Sequence, residues 1–237
     1  PPPPPTFEAP DPLPRPGGGE LPILLGTQLE AKEQDMLKKL GRRLGARIVK
    51  SWSAEVTHVV CATRGTNRSA TQRMCGRTFK YLMAMLHGQW IVSSEWLSAC
   101  EGAGHWVDEA AYEAHGDHQT MDEATGEGTG GPRRARESKK RKVPALFAGA
   151  TFYVDENFPE QGLRRKEIMQ LLSAGGASVA KRLPVSAAAA QGLTVVVHEE
   201  VGASPELVEQ CEVLNIGQCV HHKFLMDAIS RYEWQGH

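Results

Sequence analysis

The chain has 237 residues, 41% of them apolar, and a formal net charge of −1. This length fits two domains of about 100 residues each, and a net charge near zero predicts no global attraction to nucleic acid. No apolar run approaches the ~20 residues that cross a membrane, and no secretory signal opens the sequence. Five cysteines, an odd number without paired spacing, favour a reducing compartment over a disulfide framework.

Residues 1–20 open with five prolines and end in a glycine-rich stretch. Such a composition cannot bury apolar surface, so we expect a Pro/Gly-rich flexible linker. A proline-motif ligand is the alternative interpretation. A linker at this place also leads us to expect a longer parent protein.

The first folded half begins with a strand over 22–25, and a helix is predicted over 27–44. Thr27 and Glu30 fit a capping box at its start. Further strands are predicted over 46–49 and 56–61, where β-branched residues concentrate. The predicted helix has a buried stripe of Met36, Leu37, Leu40 and Leu44.

Residues 75–100 have the pattern of a helix, a strand and a second helix. Gly88 ends the first helix, since glycine accepts the left-handed conformation of a C-terminal cap. A short apolar run over 90–92 predicts a buried strand. The second helix places Trp96 and Cys100 on one face. The buried face of the first helix comprises Phe79, Leu82, Met83 and Leu86.

An acidic stretch over 108–127 is followed by a basic one over 133–142, without apolar periodicity. We interpret this region as a linker between two domains. The basic half resembles a nuclear import signal. An extended, solvated linker is an equally weighted alternative.

The pattern of the first half then recurs. GARIVK at 45–50 reappears as GASVAK at 176–181, and VTHVV at 56–60 is echoed by LTVVV at 193–197. Each segment and its echo are separated by the length of a whole domain, which indicates a repeated domain rather than a solenoid unit. Phe224 takes the place of Trp96 and is predicted to be an aromatic core residue. Strands and helices of this half are predicted over 147–154, 163–174, 205–213 and 223–232. The element order predicts an α/β fold with mostly parallel sheets.

Three segments resemble a known family. CGRTFKYLMAMLHGQWIVSSEWLSAC at 75–100 resembles the signature of a BRCT repeat, and ILLGT at 23–27 resembles the first BRCT strand with its phosphate-contacting turn. GPRRARES at 131–138 resembles the linker in the tandem BRCT region of the breast-cancer susceptibility protein and its RING-domain partner. The resemblance covers roughly residues 21–232 and implies two tandem BRCT repeats, each with a mostly parallel four-stranded sheet flanked by helices, packed head to tail. We place the repeats at 21–116 and 146–237, and the linker at 117–145.

The sequence contains no recognisable combination of a nucleophile, a base and an orienting group. It therefore predicts a protein that is not an enzyme and uses no cofactor. Cys211, Cys219, His221 and His222 could be considered a metal cluster. Zinc sites usually contain a closely spaced cysteine pair, however, so we expect no metal site.

The resemblance implies a phosphoserine site formed by Thr27, the backbone amide of Gln28, and Lys80, with Thr78 as an additional hydroxyl. Residue chemistry alone is compatible with this, because a helix start and a lysine both favour an anion. The alternative is that Thr27 is only a cap and Lys80 only a solvated residue. Gln28 stands where the family has glycine, and a positive φ would strain it by about 1–2 kcal/mol. The other possibility is an ordinary helical φ, with which the side chain is harmless and could reach the ligand.

The family also reads an apolar or aromatic residue three positions after the phosphoserine. The resemblance assigns this third-position pocket to Arg77 (through its backbone), Leu82, Asn157, Phe158 and Met226. It further implies that Arg77 pairs with Asp227 between the repeats. The alternative is that these residues form an ordinary interdomain core.

The resemblance therefore implies a binding module for phosphoserine motifs in nuclear proteins of the DNA-damage response and homologous recombination. It implies a RING ubiquitin-ligase domain elsewhere in the full-length protein, a RING-domain heterodimer partner bound through a missing N-terminal region, and nuclear localisation without membrane association. One alternative function is a chromatin adaptor that docks on nucleosomes or ubiquitinated histones. Another is a nucleic-acid binder that uses 133–142.

Overall fold

The computed structural model describes residues 21–66, 69–159 and 162–234, so the predicted linker at 1–20 lies outside the described residues. The first repeat contains β1 (Ile23–Thr27), α1 (Ala31–Leu44), β2 (Arg47–Val49), β3 (His58–Cys61), β4 (Met74–Cys75), α2 (Phe79–His87), β5 (Trp90–Ser93), α3 (Glu95–Ala103) and β6 (Gly116–Asp117). A helix α4 (Gly131–Lys140) connects it to the second repeat. The second repeat contains β7 (Thr151–Val154), α5 (Arg165–Ala174), β8 (Ser178–Ala180), β9 (Leu193–Val197), α6 (Pro205–Val213), β10 (Gln218–His221) and α7 (His222–Arg231).

Each repeat is organised around a four-stranded parallel sheet. The strand orders are β2-β1-β3-β5 and β8-β7-β9-β10, so the two sheets have the same topology. All residues of the central strands β3 and β9 are buried, as expected for parallel strands covered on both faces by helices. The predicted fold class is confirmed.

The start of the first helix was predicted wrongly. Thr27 is the last residue of β1, where it pairs with Cys61, and α1 begins only at Ala31. Directly after the strand, Gln28 adopts a left-handed φ of 52°, which is incompatible with a helix that starts at Thr27. The capping box is therefore formed further along the chain, by Glu30 and Glu33. Thr27 is therefore fixed by the sheet rather than by a helix cap.

The alternative of an extended, solvated linker is wrong for residues 131–140, because they form a helix that is partly buried. Pro132 occupies the first turn, where its fixed φ is tolerated, and Ala135 packs into the core. Arg136 donates two hydrogen bonds of 2.8 Å to the carboxylate of Glu113. Its guanidinium also stacks 3.8 Å from the ring centroid of Trp90. The three buried residues of the helix, Gly131, Pro132 and Ala135, are too small to give the apolar periodicity by which a sequence reveals a helix.

The second repeat departs from the predictions at two places. Phe224 is 45% exposed, and α7 instead buries Leu225, Ala228 and Ile229 in the core. The predicted strand over 147–154 is shorter, since only residues 151–154 join the sheet. Phe147 is nevertheless fully buried, because it packs edge-on against Phe152 and Trp234. The buried part of this segment therefore starts N-terminal to the strand itself.

Helix α2 joins the two repeats. It packs against α4, α5 and α7, and its residues 81–86 are all buried. The core cluster around α2 contains residues from both sheets, including Leu25 and Phe152. A helix that is apolar on all sides needs cover on all sides, so the two repeats form one packed unit.

Arg136 should be required for stability. Arg136→Ala should lower the free energy of unfolding by about 3 kcal/mol, because the side chain of Glu113 is 8% exposed and would keep a carboxylate without its partner. Arg133→Ala is the matched control, since the Arg133–Glu137 pair on the same helix is solvent-exposed and should be worth less than about 1 kcal/mol. Urea denaturation measures the free energy of unfolding of both variants. Equal losses would show that the buried pair contributes no more to stability than the exposed pair.

Candidate functional site

Two threonines from distant parts of the sequence meet at the N-terminus of α2. Thr27 ends β1, Thr78 is the N-cap of α2, and their hydroxyl oxygens are 2.9 Å apart. The oxygen of Thr78 also accepts a hydrogen bond from the backbone N–H of Tyr81 at 3.2 Å. The hydroxyl–hydroxyl bond uses one of the two protons, so one hydroxyl proton remains for donation to a ligand oxygen.

Lys80 supplies the positive charge at this point. It is the second residue of α2, is partly buried, and its Nζ donates to the carbonyl of Gly26 at 3.0 Å. The free amides and the dipole of the first helical turn add positive potential in the same place. A phosphate oxygen is a stronger acceptor for an ammonium group than a backbone carbonyl. The structure thus brings Thr27, Thr78 and Lys80 together around a position suited to an oxyanion.

Gln28 has the strained conformation that the sequence raised as one of two possibilities. Its φ is 52°, and its side chain lies against the backbone of Gly76. A Cβ added to Gly76 would lie 1.8 Å from Oε1 of Gln28, so a larger residue there would require the Gln28 side chain to move. Sequence reasoning missed Gly76, because nothing local to it indicates which side chain lies across it.

Arg77 and Asp227 form an ion pair between the repeats. Nη1 of Arg77 donates to Oδ1 of Asp227, while Nζ of Lys223 lies 3.4 Å from the other carboxylate oxygen. The side chain of Arg77 is 6% exposed and that of Asp227 is 29% exposed. This pair connects the residue that precedes the N-cap of α2 with the last helix of the second repeat.

The residues assigned to the third-position pocket have different environments. Leu82 is fully buried, so it lies beneath any ligand rather than in contact with one, whereas Asn157 is exposed. Phe158 packs its ring edge-on against His198 and His222, at centroid distances of 5.4 and 5.6 Å. Burial, and secondarily the nearby His198, lowers the pKa of His222 and favours its neutral form. Met226 is partly buried against the shared core.

Comparisons with known proteins agree with this architecture. Residues 23–101 match the family model described as the BRCA1 C Terminus (BRCT) domain. Residues 23–101 form a BRCT domain. Among curated relatives, BRCA1-associated RING domain protein 1 of Arabidopsis thaliana is 29% identical over 66% of the chain, and the Protein BREAST CANCER SUSCEPTIBILITY 1 homolog of the same plant is 31% identical over 65% of the chain. The chain spans only 20% and 15% of the lengths of these relatives.

Solved structures extend the BRCT assignment to a tandem fold. The BRCT5-BRCT6 domains of S. pombe Brc1 superpose with a TM-score of 0.60 at 16% identity, covering 91% of this chain and 95% of that one. Rtt107p, in a structure of its complex with a phosphorylated histone, superposes with a TM-score of 0.50 at 11% identity, covering 90% of each chain. The chain has the tandem BRCT fold, and the predicted resemblance is confirmed.

Two other sequence hypotheses receive no geometric support. No group of three or more metal-ligating side chains is placed to hold a metal within 21–66, 69–159 and 162–234, so Cys211, Cys219, His221 and His222 do not form such a cluster. In the basic segment, Arg133, Arg136 and Arg141 are engaged with Glu113 or Glu137. These pairs leave the tandem BRCT module less basic at this surface than the sequence suggests.

Among the described helices, none is both long and apolar enough to span a bilayer.

Replacing Gln28 with glycine should stabilise the protein. Gln28→Gly removes the left-handed strain and should raise the free energy of unfolding by about 1 kcal/mol. Gln28→Ala is the control, since it removes the side chain but keeps the strained φ. Thermal denaturation compares the three proteins, and a loss of stability in the glycine variant would show that the contact with Gly76 outweighs the strain.

The Arg77–Asp227 pair should show strong energetic coupling. Arg77→Ala and Asp227→Ala should each destabilise the protein, and the double variant should lose about 0.5–3 kcal/mol less than the sum. Chemical denaturation of the four proteins gives the coupling, with Lys223→Ala as a control that removes only an exposed partner. Strictly additive losses would contradict a direct interaction.

Proposed function

We propose that this tandem BRCT module binds phosphoserine-containing peptides and reads an apolar or aromatic residue at the third position after the phosphoserine. The observation that carries the proposal is the convergence of Thr27, Thr78 and Lys80 at the N-terminus of α2. A hydroxyl donor, an ammonium group and a helix terminus are the groups that stabilise a phosphate dianion. The complex of the similar protein Rtt107p with a phosphorylated histone supports this choice of ligand.

The backbone around the site also suits close approach of a ligand. Gln28 presents its backbone from a left-handed conformation, and its side chain lies against Gly76. Backbone strain of this kind is concentrated at ligand sites, where the surrounding structure maintains it. The amide of Gln28 is therefore a further proposed phosphate contact, in addition to Thr27, Thr78 and Lys80.

The third-position residue would bind where the two repeats meet. Phe158 and Met226 offer partly buried apolar surface, packed against the core cluster that contains the fully buried Leu82. Asn157 is exposed at the rim, and the Arg77–Asp227 pair holds α2 against α7. Specificity at this position would thus depend on the orientation of the repeats.

We further propose nuclear phosphoproteins as partners, including histones, and a RING ubiquitin-ligase context for the full-length protein. The relative named as a RING domain protein supports that context. Lys139, Lys140, Arg141 and Lys142 are all exposed, which leaves them accessible to an import receptor. The pairing of the neighbouring arginines argues against the nucleic-acid alternative.

Phosphate recognition should depend on Lys80. Lys80→Met should weaken a phosphoserine peptide carrying phenylalanine at the third position by roughly 10- to 100-fold, because a charge-assisted bond is worth about 1.5–3 kcal/mol. The melting temperature should hardly change, since Lys80 is partly exposed and bonds only one carbonyl. Isothermal titration calorimetry measures the loss, and Lys140→Met is the charge-matched control on α4. Equal affinity of the natural protein for phosphorylated and unphosphorylated peptides would refute the proposal.

A further inference from the structure

A second concave surface runs beside the phosphate site, between α2 and α5. It is an open groove of about 640 Å³. Trp52, from the loop after β2, and Phe79, Met83 and Met169 provide its apolar lining. These residues pack against the core shared by the two repeats, so their inner sides are fixed and their outer sides face the groove. We call it the α2–α5 groove.

The rim of the α2–α5 groove is basic. Lys50, Lys80 and Lys166 line it together with His87, whereas no aspartate or glutamate does so among the described residues. Lys80 and Lys166 are the second residues of α2 and α5, so two helix N-termini add to the positive potential at one end. Within the described parts of the chain, neither Lys50 nor Lys166 forms an ion pair.

The α2–α5 groove is continuous with the proposed phosphate site. Lys80 belongs to both, because its side chain lines the groove while its Nζ reaches the carbonyl of Gly26. A chain held at the phosphate site is therefore adjacent to the groove at Lys80. Clefts of this volume accommodate ligands of several functional groups, which matches a short peptide segment. The two methionines allow the lining to adapt to different apolar side chains.

We propose that the α2–α5 groove binds an acidic segment with one large apolar residue, located beside the phosphoserine on the same partner protein. The apolar residue packs on Trp52, Phe79, Met83 and Met169, while its acidic neighbours face Lys50 and Lys166. Opposite charges at such a rim accelerate association and fix the register of the bound chain. This inference rests on the proposed phosphate recognition, which it extends from the phosphoserine and its third following residue to a second specificity element.

The test compares a core phosphoserine peptide with versions extended by Asp-Glu-Phe-Glu-Asp through two glycines, at either end. One of the two extensions should tighten binding about 10-fold in calorimetry, and a serine-and-glycine extension should not. Lys166→Glu and Met169→Ala should each remove this gain while leaving affinity for the core peptide unchanged. Lys181→Glu, an exposed charge reversal in the second repeat away from the groove, should retain the gain. Binding of the extended peptide should also change tryptophan emission, and Trp52→Phe should abolish that change.

Several results would overturn the inference. Equal affinity of the core and both extended peptides would do so, as would a gain that persists in Lys166→Glu and Met169→Ala. Dimerisation in analytical ultracentrifugation that Lys166→Glu prevents would identify a second copy as the occupant instead. If the core phosphopeptide fails to bind but the extended unphosphorylated peptide binds in a Lys166-dependent way, the groove stands and the phosphate proposal fails. The two proposals are therefore separable.

Discussion

The burial of α2 between the repeats is the constraint on which the rest of the structure depends. Residues 81–86 are apolar on every side of the helix and are all buried. The first repeat can cover only part of this helix with its own sheet, and α4, α5 and α7 complete the cover. Separating the repeats would expose a continuous apolar helix, which would cost several kcal/mol at about 25 cal/mol per Å². The two sheets are consequently parts of one folding unit.

The same helix positions the chemistry. Its N-cap hydroxyl contacts Thr27, its second residue is Lys80, and the residue before its cap, Arg77, pairs with Asp227 of the second repeat. The groups proposed to bind the phosphate and the groups of the interface are thus separated by only a few residues. A shift of α2 relative to α7 would move the ammonium group and the cap hydroxyl together. Under the proposed function, affinity would therefore depend on the relative orientation of the repeats.

Polar interactions at the periphery have distinct roles. The Arg136–Glu113 pair, stacked on Trp90, attaches the connecting helix to the first repeat and makes the linker part of the fold. The bond with Glu113 raises the pKa of Arg136, which remains charged at every physiological pH. By contrast, Lys50 and Lys166 lie at the edge of an open groove. The first arrangement stabilises the protein, and the second leaves positive charge for a partner.

The sequence alone determined the elements with strong periodicity, the repeat and the family. The apolar stripe of α1, the glycine that ends α2 and the echo of GARIVK in GASVAK all indicated a tandem α/β fold, and Thr27, Thr78 and Lys80 were named from the family motif. Periodicity reports which face of an element is buried, which is why these predictions are local.

Only the tertiary structure decided which partners the elements meet. It placed Thr27 at the end of a strand, made a helix of residues 131–140, buried Leu82 completely and exposed Phe224. The decisive contacts join residues far apart in sequence: 51 residues separate Thr27 from Thr78, and 150 separate Arg77 from Asp227. Such contacts depend on how two sheets and several helices pack in three dimensions. No local pattern of residue types encodes that packing, and the α2–α5 groove exists only because of it.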